Sequence, residues 1–243
     1  MRVSQMAVKE KLMFGRYSEM EIVWRKVAEE NGFLAECSFG SLVADEREPE
    51  NSNKARRERG SNFFPQTNVC TFLNSEEKDW YKPQHDNDAA NEKMRISRGF
   101  LSEFYSWEKE LIAPQELTIV VPDGYKRAFG NLTTVNVKVS IPSRSQIFGG
   151  DETEGTRFDL FLSEPPRRLS TFTRTAIGTG LCAVNQNGKL INLSPCEEFR
   201  CRPFLLIDPD AEVEFSGATM NYYVLPSKAY VKAVTDELHQ ILK

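Results

Sequence analysis

The stretch from Asn185 to Ile207 constrains the fold more than any other part of this chain. Its Asn187-Gly188 pair is preferred in two-residue hairpin turns, because such turns need a positive φ at both central positions. The stretch ends in four consecutive apolar residues, from Phe204 to Ile207, a run that is typical of a buried strand. We therefore expect a polar surface loop that is held in place by a core strand directly after it.

Strand patterns dominate the rest of the chain. Residues 11–17, 21–28 and 33–37 predict an opening β-meander, with turn signals between them. Further strands are expected at 116–121, 135–139, 171–175, 180–184, 189–193 and 212–215. The sequence thus predicts a loop-rich α+β domain.

Helical patterns are fewer and shorter. Apolar spacing predicts helices at 65–73 and 99–112, and a short helix at 158–162. For the second of these, Ser106 offers an alternative as the cap of a shorter helix that starts at Trp107. Residues 227–243 predict an amphipathic helix, whereas the polar residues 45–62 predict a long loop.

Composition bounds the class of protein. The 243 residues are 40% hydrophobic and carry a net charge of −4, so the balance disfavours general nucleic-acid binding. No apolar run is long enough for a membrane span, and no signal peptide is visible, which predicts a cytoplasmic protein. A leader removed before residue 1 stays an open alternative.

The cysteine count also bounds the chemistry. Five cysteines at wide spacing argue against a disulfide framework and fit a reducing compartment. With no Cys-x-x-Cys pair and only two histidines, the sequence predicts no structural zinc site, and we expect no cofactor.

An ordered set of short segments resembles a known family. The segments are Phe14–Tyr17, Val23–Val27, Asn68–Asn74, Trp80-Tyr81, Gln84–Asp86, Gly99–Leu101, Glu108–Ile112, Lys138-Val139, Pro142–Ser145 and Arg202–Ile207. In this order they resemble a family of bacterial proteins of unknown function, common in Gram-positive gut bacteria. The resemblance covers roughly residues 11 to 215. That family is similar to the formylglycine-generating-enzyme branch of the C-type lectin fold.

The resemblance implies a specific architecture. It implies a C-type-lectin-like, formylglycine-generating-enzyme-like domain over residues 1–217, whose N- and C-terminal strands lie in one sheet. Residues 218–243 would then form a helical extension packed on the domain. The alternative is that this helix pairs with a second chain and makes a homo-oligomer.

The same resemblance implies candidate binding residues. The variable proteins of diversity-generating retroelements share the lectin fold and display ligand-binding residues just before the corresponding final strand. The matching positions in this chain lie in the hairpin and include Asn185, Gln186, Asn187, Lys189 and Asn192.

Four further residues are candidates from their own chemistry. Trp80 lies in a polar stretch and offers a ring for stacking a sugar or anchoring a partner. His85 and Asp86 lie among amides and carboxylates, which suits either acid–base chemistry or a loop bonded to its own backbone. The calcium-loop pattern is missing there, so no metal site is expected. Arg174 is expected to bind an anion together with Arg144 and Arg202, and the alternative is that Arg202 pairs with a buried carboxylate or carbonyl groups to fix the loops.

The positions of the cysteines argue against a catalytic role. Formylglycine-generating enzymes use a cysteine pair that precedes a Gly-Phe-Arg segment, whereas Cys201 lies inside the matching segment here. We therefore expect no catalytic residue and no enzyme, but a non-catalytic module that binds a glycan, peptide or protein. The alternatives are a cysteine-dependent oxidase-like enzyme using Cys182, Cys196 or Cys201, and an oligomeric structural or phage-associated component.

Overall fold

The computed structural model describes residues 1–28, 31–83, 92–121, 132–150, 152–166, 169–216, 222–225 and 235. This part of the chain mixes helices with strands in several sheets and forms no barrel. The mixed α and β class agrees with the expectation from sequence.

The strands in chain order are β1 (Lys11–Tyr17), β2 (Met20–Lys26), β3 (Gly32–Ala35), β4 (Phe39–Val43), β5 (Ile112–Ala113), β6 (Gln115–Val120), β7 (Leu132–Val137), β8 (Val139–Ser140), β9 (Thr171–Ile177), β10 (Gly180–Val184), β11 (Leu190–Leu193), β12 (Glu198–Cys201), β13 (Phe204–Ile207), β14 (Glu214–Ser216) and β15 (Tyr222–Val224). The α-helices are α1 (Lys54–Arg59), α2 (Asn68–Asn74), α3 (Glu92–Ile96), α4 (Ser106–Leu111), α5 (Arg144–Phe148) and α6 (Asp159–Ser163). Short 3-10 helices lie at Val3–Gln5, Phe64–Gln66, Phe100–Glu103 and Glu152–Glu154.

The largest sheet has the strand order β14-β15-β1-β2-β3-β13-β5, and β8 also pairs with β13. The predicted meander is confirmed, because β1, β2 and β3 follow one another antiparallel. The tight turn between β1 and β2 places Ser18 and Glu19 at positive φ. Two such residues match the twist of a hairpin.

Strands from both ends of the described chain share this sheet. β1 pairs with β15 in parallel, with Leu12 opposite Tyr223. The N-terminal residues reinforce the closure, because the Met1 amino group donates to the Val213 carbonyl oxygen at 2.8 Å. β15 lies in the region that the sequence assigned to a helical extension, so the sheet continues beyond residue 217.

β13 is the strand at which most elements meet. It pairs with β3, β5 and β8, and three of its four residues are buried. The predicted core strand Phe204–Ile207 is therefore confirmed. Three smaller sheets surround it: β9 to β11 in the order β11-β10-β9, β4 with β12, and β6 with β7.

Aromatic side chains fill the main core. The buried Phe100 ring has its centroid 5.3 Å from that of Phe39 and 5.5 Å from that of Phe104. The indole N–H of Trp24 donates to the Phe14 carbonyl oxygen at 2.7 Å, so even this buried polar group is satisfied. Aromatic ring pairs at these distances stabilise a core beyond the area they bury.

Two expectations about helices need correction. Residues 45–62 are not only loop, because α1 forms at Lys54–Arg59 behind the cap residue Asn53. The single helix expected at 99–112 is two pieces, a 3-10 turn and then α4, which is closer to the shorter alternative. The helix expected at 227–243 lies outside the described residues, apart from Thr235, which is helical.

Candidate functional site

The hairpin between β10 and β11 has a buried and an exposed half. Every residue of β10 is buried, whereas β11 alternates between exposed and half-buried positions. A hairpin turn forms at the predicted place, but it is longer than the two-residue turn expected, because the Gly188 N–H donates to the Asn185 carbonyl at 2.9 Å and only Gly188 of the pair has a positive φ. The hairpin is therefore a rigid support that presents polar residues at its tip.

Asn185 fixes this turn. Its side-chain Oδ1 accepts hydrogen bonds from the backbone N–H groups of Asn187 at 2.9 Å and Lys189 at 3.0 Å. An Asn that bonds its own backbone two residues onward is an Asx-turn residue. Asn185 thus positions the tip, while the side chains of Asn187 and Lys189 are exposed.

Asn192 lies on the exposed face of β11 and borders a cleft. Its side chain lies across Gly180, where an added Cβ would be 2.1 Å from the Asn192 Oδ1 atom. Gly180 therefore makes the room that lets Asn192 lie flat on the hairpin. The cleft has a volume of about 340 Å³, and we call it the hairpin cleft. Its lining residues are Arg47, Glu58, Arg59, Asn192, Leu193, Ser194, Cys196 and Glu197.

Helix α1 and the residues before it build the opposite wall. The Asn53 side chain accepts from the Ala55 N–H at 2.9 Å and so caps the helix. Arg56 pairs with the mostly buried Glu48 carboxylate at 2.7 Å, which ties α1 to the preceding loop. The Arg59 guanidinium donates to the Thr179 hydroxyl at 3.3 Å and thereby joins this wall to the turn between β9 and β10.

Two guanidinium groups give the hairpin cleft its donors. Arg47 and Arg59 are both exposed, and neither forms a salt bridge with any residue that the structure describes. On the other wall, the Ser194 hydroxyl lies 3.2 Å from the Cys196 sulfur. The Glu197 carboxylate already has a hydrogen-bond partner in the protein, because it accepts from the Ser194 N–H at 3.1 Å. Arginine donors beside an amide and a hydroxyl suit carboxylate, phosphate or sugar hydroxyl groups.

Trp80 is not a surface residue. Its side chain is only 4% exposed, and its ring packs against Phe72 with centroids 5.4 Å apart. The indole N–H donates to the Ser97 hydroxyl at 3.1 Å. Contrary to the expectation from sequence, the ring is not available for stacking on a ligand, because the core takes up its apolar faces.

Arg174 is also internal. Arg174 is only 2% exposed. Its guanidinium donates to the Ile141 carbonyl at 2.8 Å, to the Gln146 amide oxygen at 2.7 Å and to the Glu154 carbonyl. Burial lowers the pKa of this guanidinium to about 10, although the Glu154 carboxylate opposes the shift. Contrary to the anion-binding role expected for it from sequence, Arg174 uses its guanidinium to fix loops from inside, the role that the sequence offered to Arg202.

The remaining predicted residues His85 and Asp86 lie outside the described residues. The structure thus brings together Asn185, Asn187, Lys189 and Asn192 on one hairpin, and it separates Trp80 and Arg174 from them by burial. Sequence reasoning missed Arg47, Arg59 and Ser194 as residues of a common cleft. The dense basic run at 54–59 was the available signal.

The cysteines show no paired arrangement. All five are free thiols, and Cys70, Cys182 and Cys201 are buried. Burial raises the pKa of the Cys70 and Cys182 thiols to about 12, and it raises that of Cys201 as well. A thiol whose pKa is raised is a poor nucleophile at neutral pH. Cys196 is the partly exposed thiol that borders the hairpin cleft.

Comparison with protein-family models, curated proteins and solved structures found no match to this chain. Among the described residues, no helix has the length and apolar character that a membrane crossing requires. In the same part of the chain, His, Cys, Asp and Glu side chains form no group that is arranged to hold a metal ion.

Proposed function

We propose that this chain is a non-catalytic ligand-binding module of the C-type-lectin type. The ligand surface is the hairpin cleft, which lies at the end of β10 and β11 opposite the turn at 185–189. Candidate ligands are a glycan, a peptide or a protein that offers anionic or hydroxyl groups to Arg47, Arg59 and Asn192. The fold assignment rests on the ordered sequence segments, and it is supported by the pairing of β3 with β13, which joins an early and a late strand of residues 1–217 in one sheet.

One observation carries this function. Exposed donors from two separate walls face one cleft. The hairpin wall is backed by the buried strand β10, and the α1 wall is fixed by the Asn53 cap and the Arg56–Glu48 pair. A rigid scaffold that displays polar loops is the usual design of a binding surface. The oxidase-like alternative finds less support, because the buried thiols have raised pKa values.

The test is a ligand titration followed by ¹⁵N–¹H NMR, using sialylated, sulfated and neutral oligosaccharides and acidic peptides. We expect saturable shifts that centre on Asn192 and Ser194, which line the cleft. Arg59→Ala should weaken the binding of an anionic ligand about tenfold, because it removes a charge-assisted hydrogen bond. Lys54→Ala is the matched control, because Lys54 lies on the same helix but does not line the cleft.

The proposal fails if no member of this panel gives saturable shifts at the hairpin. It also fails if Lys54→Ala weakens binding as much as Arg59→Ala, since the effect would then be general charge and not the cleft. Rapid iodoacetamide labelling of Cys196 at pH 6 would favour the cysteine-dependent alternative, because only an activated thiol reacts quickly at that pH.

A further inference from the structure

A second pocket lies on different elements from the hairpin cleft. It has a volume of about 310 Å³ and opens where α4 crosses β1 near the edge of the main sheet. We call it the aromatic–carboxylate pocket. Its lining residues are Met13, Phe14, Gly15, Arg16, Glu21, Tyr105, Trp107, Glu108, Glu214, Val224 and Leu225.

An irregularity in β1 creates this pocket. The pairing of β1 with β2 shifts register between Met13 and Arg16, and Gly15 has a φ of +68°. A Cβ at this position would lie 2.1 Å from the ring of Phe104, so only glycine fits. β-bulges of this kind redirect neighbouring groups and are frequent beside functional sites. Here the bulge turns the Gly15 N–H toward Glu108.

Glu108 is a buried carboxylate at the base of the pocket. One of its oxygens accepts from the Gly15 N–H at 3.1 Å, and the other accepts from the Tyr105 N–H at 2.9 Å. Glu108 is only 7% exposed. Burial raises the pKa of its carboxyl, although the two hydrogen bonds act in the opposite direction. Neither of its bonds comes from a cationic side chain.

Two more carboxylates belong to the rim. Glu21 and Glu214 are exposed, and within the described ranges neither forms a salt bridge. The lining therefore holds three carboxylates and a single cation, Arg16. That cation lies against the aromatic wall of the same pocket, because its guanidinium is 4.5 Å from the centroid of the Tyr105 ring and donates to the Tyr105 hydroxyl. Its charge also acts on Glu108, so the negative surplus of the pocket is at Glu21 and Glu214.

The aromatic wall already accommodates a cation. Tyr105 and Trp107 have nearly parallel rings, with an interplanar angle of 12° and centroids 6.3 Å apart. The Arg16 guanidinium lies over one of them. Aromatic faces attract cations through their quadrupole, and nearby carboxylates add Coulomb attraction. A wall of rings with a surplus of negative charge selects for positively charged groups and against anions.

We propose that the aromatic–carboxylate pocket binds the ammonium group of a lysine side chain presented by a peptide or protein partner. The ammonium group would lie between Glu21 and Glu214, and the aliphatic part of the lysine would pack on Trp107 and Val224. The ring-and-carboxylate lining complements both parts of such a side chain, its charge and its methylenes. The pocket and its proposed ligand are independent of the hairpin cleft.

The experiment uses the whole chain and Nα-acetyl-lysine methylamide as the probe, at low ionic strength. We expect saturable NMR shifts at the amides of Gly15, Tyr105 and Glu108. Removing one rim carboxylate, by Glu21→Gln or Glu214→Gln, should weaken binding up to about fivefold, because exposed ion pairs contribute little each. The double variant should weaken it further.

Two controls make the test specific. Glu212→Gln removes an exposed carboxylate two residues from Glu214 that does not line the pocket, and it should leave the affinity unchanged. Nα-acetyl-norleucine methylamide keeps the aliphatic side chain without the ammonium charge, and it should not bind.

The proposal is overturned if the neutral probe binds as well as the charged one, or if Glu212→Gln matches the effect of Glu21→Gln. Absence of saturable shifts also overturns it, as does tighter binding of methyl glucoside, since the pocket would then recognise sugar rings. Folding of each variant is checked by its amide spectrum, and both rim substitutions are at exposed positions.

Discussion

Replacing Arg174 with methionine is expected to destabilise the protein by about 4 kcal/mol. Methionine replaces the aliphatic part of the side chain but not the guanidinium, so the hydrogen bonds to Ile141, Gln146 and Glu154 are lost and the space of the guanidinium is left unfilled. A bond from a charged donor contributes about 1.5–3 kcal/mol, and a buried acceptor left without a donor costs about 1–3 kcal/mol. Removing an internal cation recovers part of this, because burial already lowers the pKa of Arg174 to about 10.

The assay is equilibrium unfolding in guanidinium chloride, followed by tryptophan fluorescence and by circular dichroism. The control is Arg144→Met, which removes a guanidinium from an exposed position on α5. Surface substitutions of this kind usually change stability by no more than about 0.5 kcal/mol. We therefore expect a lower midpoint for Arg174→Met with an unchanged slope, and a wild-type midpoint for the control.

One result would refute this reasoning. If Arg174→Met unfolds at the same denaturant concentration as the wild type but no longer binds a ligand, the guanidinium serves binding and not the interior. A large loss of stability for Arg144→Met would also contradict this reasoning. The loss of a positive charge, and not of the three internal hydrogen bonds, would then explain the lower stability of Arg174→Met.

The remaining predictions concern other parts of the molecule. Gly15→Ala should lower the free energy of unfolding by about 2–4 kcal/mol, through its positive φ and the ring clash, and the midpoint of urea unfolding reports it. Glu36 has its pKa lowered, because hydrogen bonds and charges of neighbouring cations outweigh the effect of burial. Its stabilisation is therefore present above the pKa of the unfolded chain and is lost as pH falls through the lower folded value. Glu36→Gln should cost about 1 kcal/mol at pH 7 and almost nothing at pH 2, as pH-dependent melting would show. In the native protein, maleimide should label Cys37 and Cys196 within minutes and leave the three buried thiols unmodified, as mass spectrometry of the intact chain would show.

Local patterns predicted most strands of this fold. Alternating side chains at 11–28 and the glycine-containing turn at 187–188 act over a few residues, so the meander and the hairpin are visible in the sequence. Helix α1 was missed because its basic residues lack an apolar stripe, and what begins it is the cap Asn53. A six-residue helix depends on such a cap and on the Glu48–Arg56 pair more than on periodicity.

The sequence predicted the hairpin residues of the candidate site but not the opposite wall of the cleft. The candidate residues between Asn185 and Asn192 lie on one hairpin, so a single stretch of sequence contains all of them. The wall of the cleft that contains Arg59 is held beside the hairpin by a contact between Arg59 and Thr179. Trp80 is buried by the Phe72 ring and the Ser97 hydroxyl, which belong to other segments. Such contacts are set by tertiary packing, which a polar stretch of sequence does not reveal.

The parallel pairing of β1 with β15 has a consequence for the order of folding. The Tyr223 hydroxyl donates to a Glu10 carboxylate oxygen that lies 213 positions earlier in the chain. Contacts of such long sequence separation form slowly, because the loop must be closed before the pairing stabilises anything. During synthesis, β1 is made long before β15, so the edge of β1 that pairs with β15 stays open until β15 follows. We expect this late edge to be where a chaperone is most useful to the nascent protein, because unpaired edges invite aggregation.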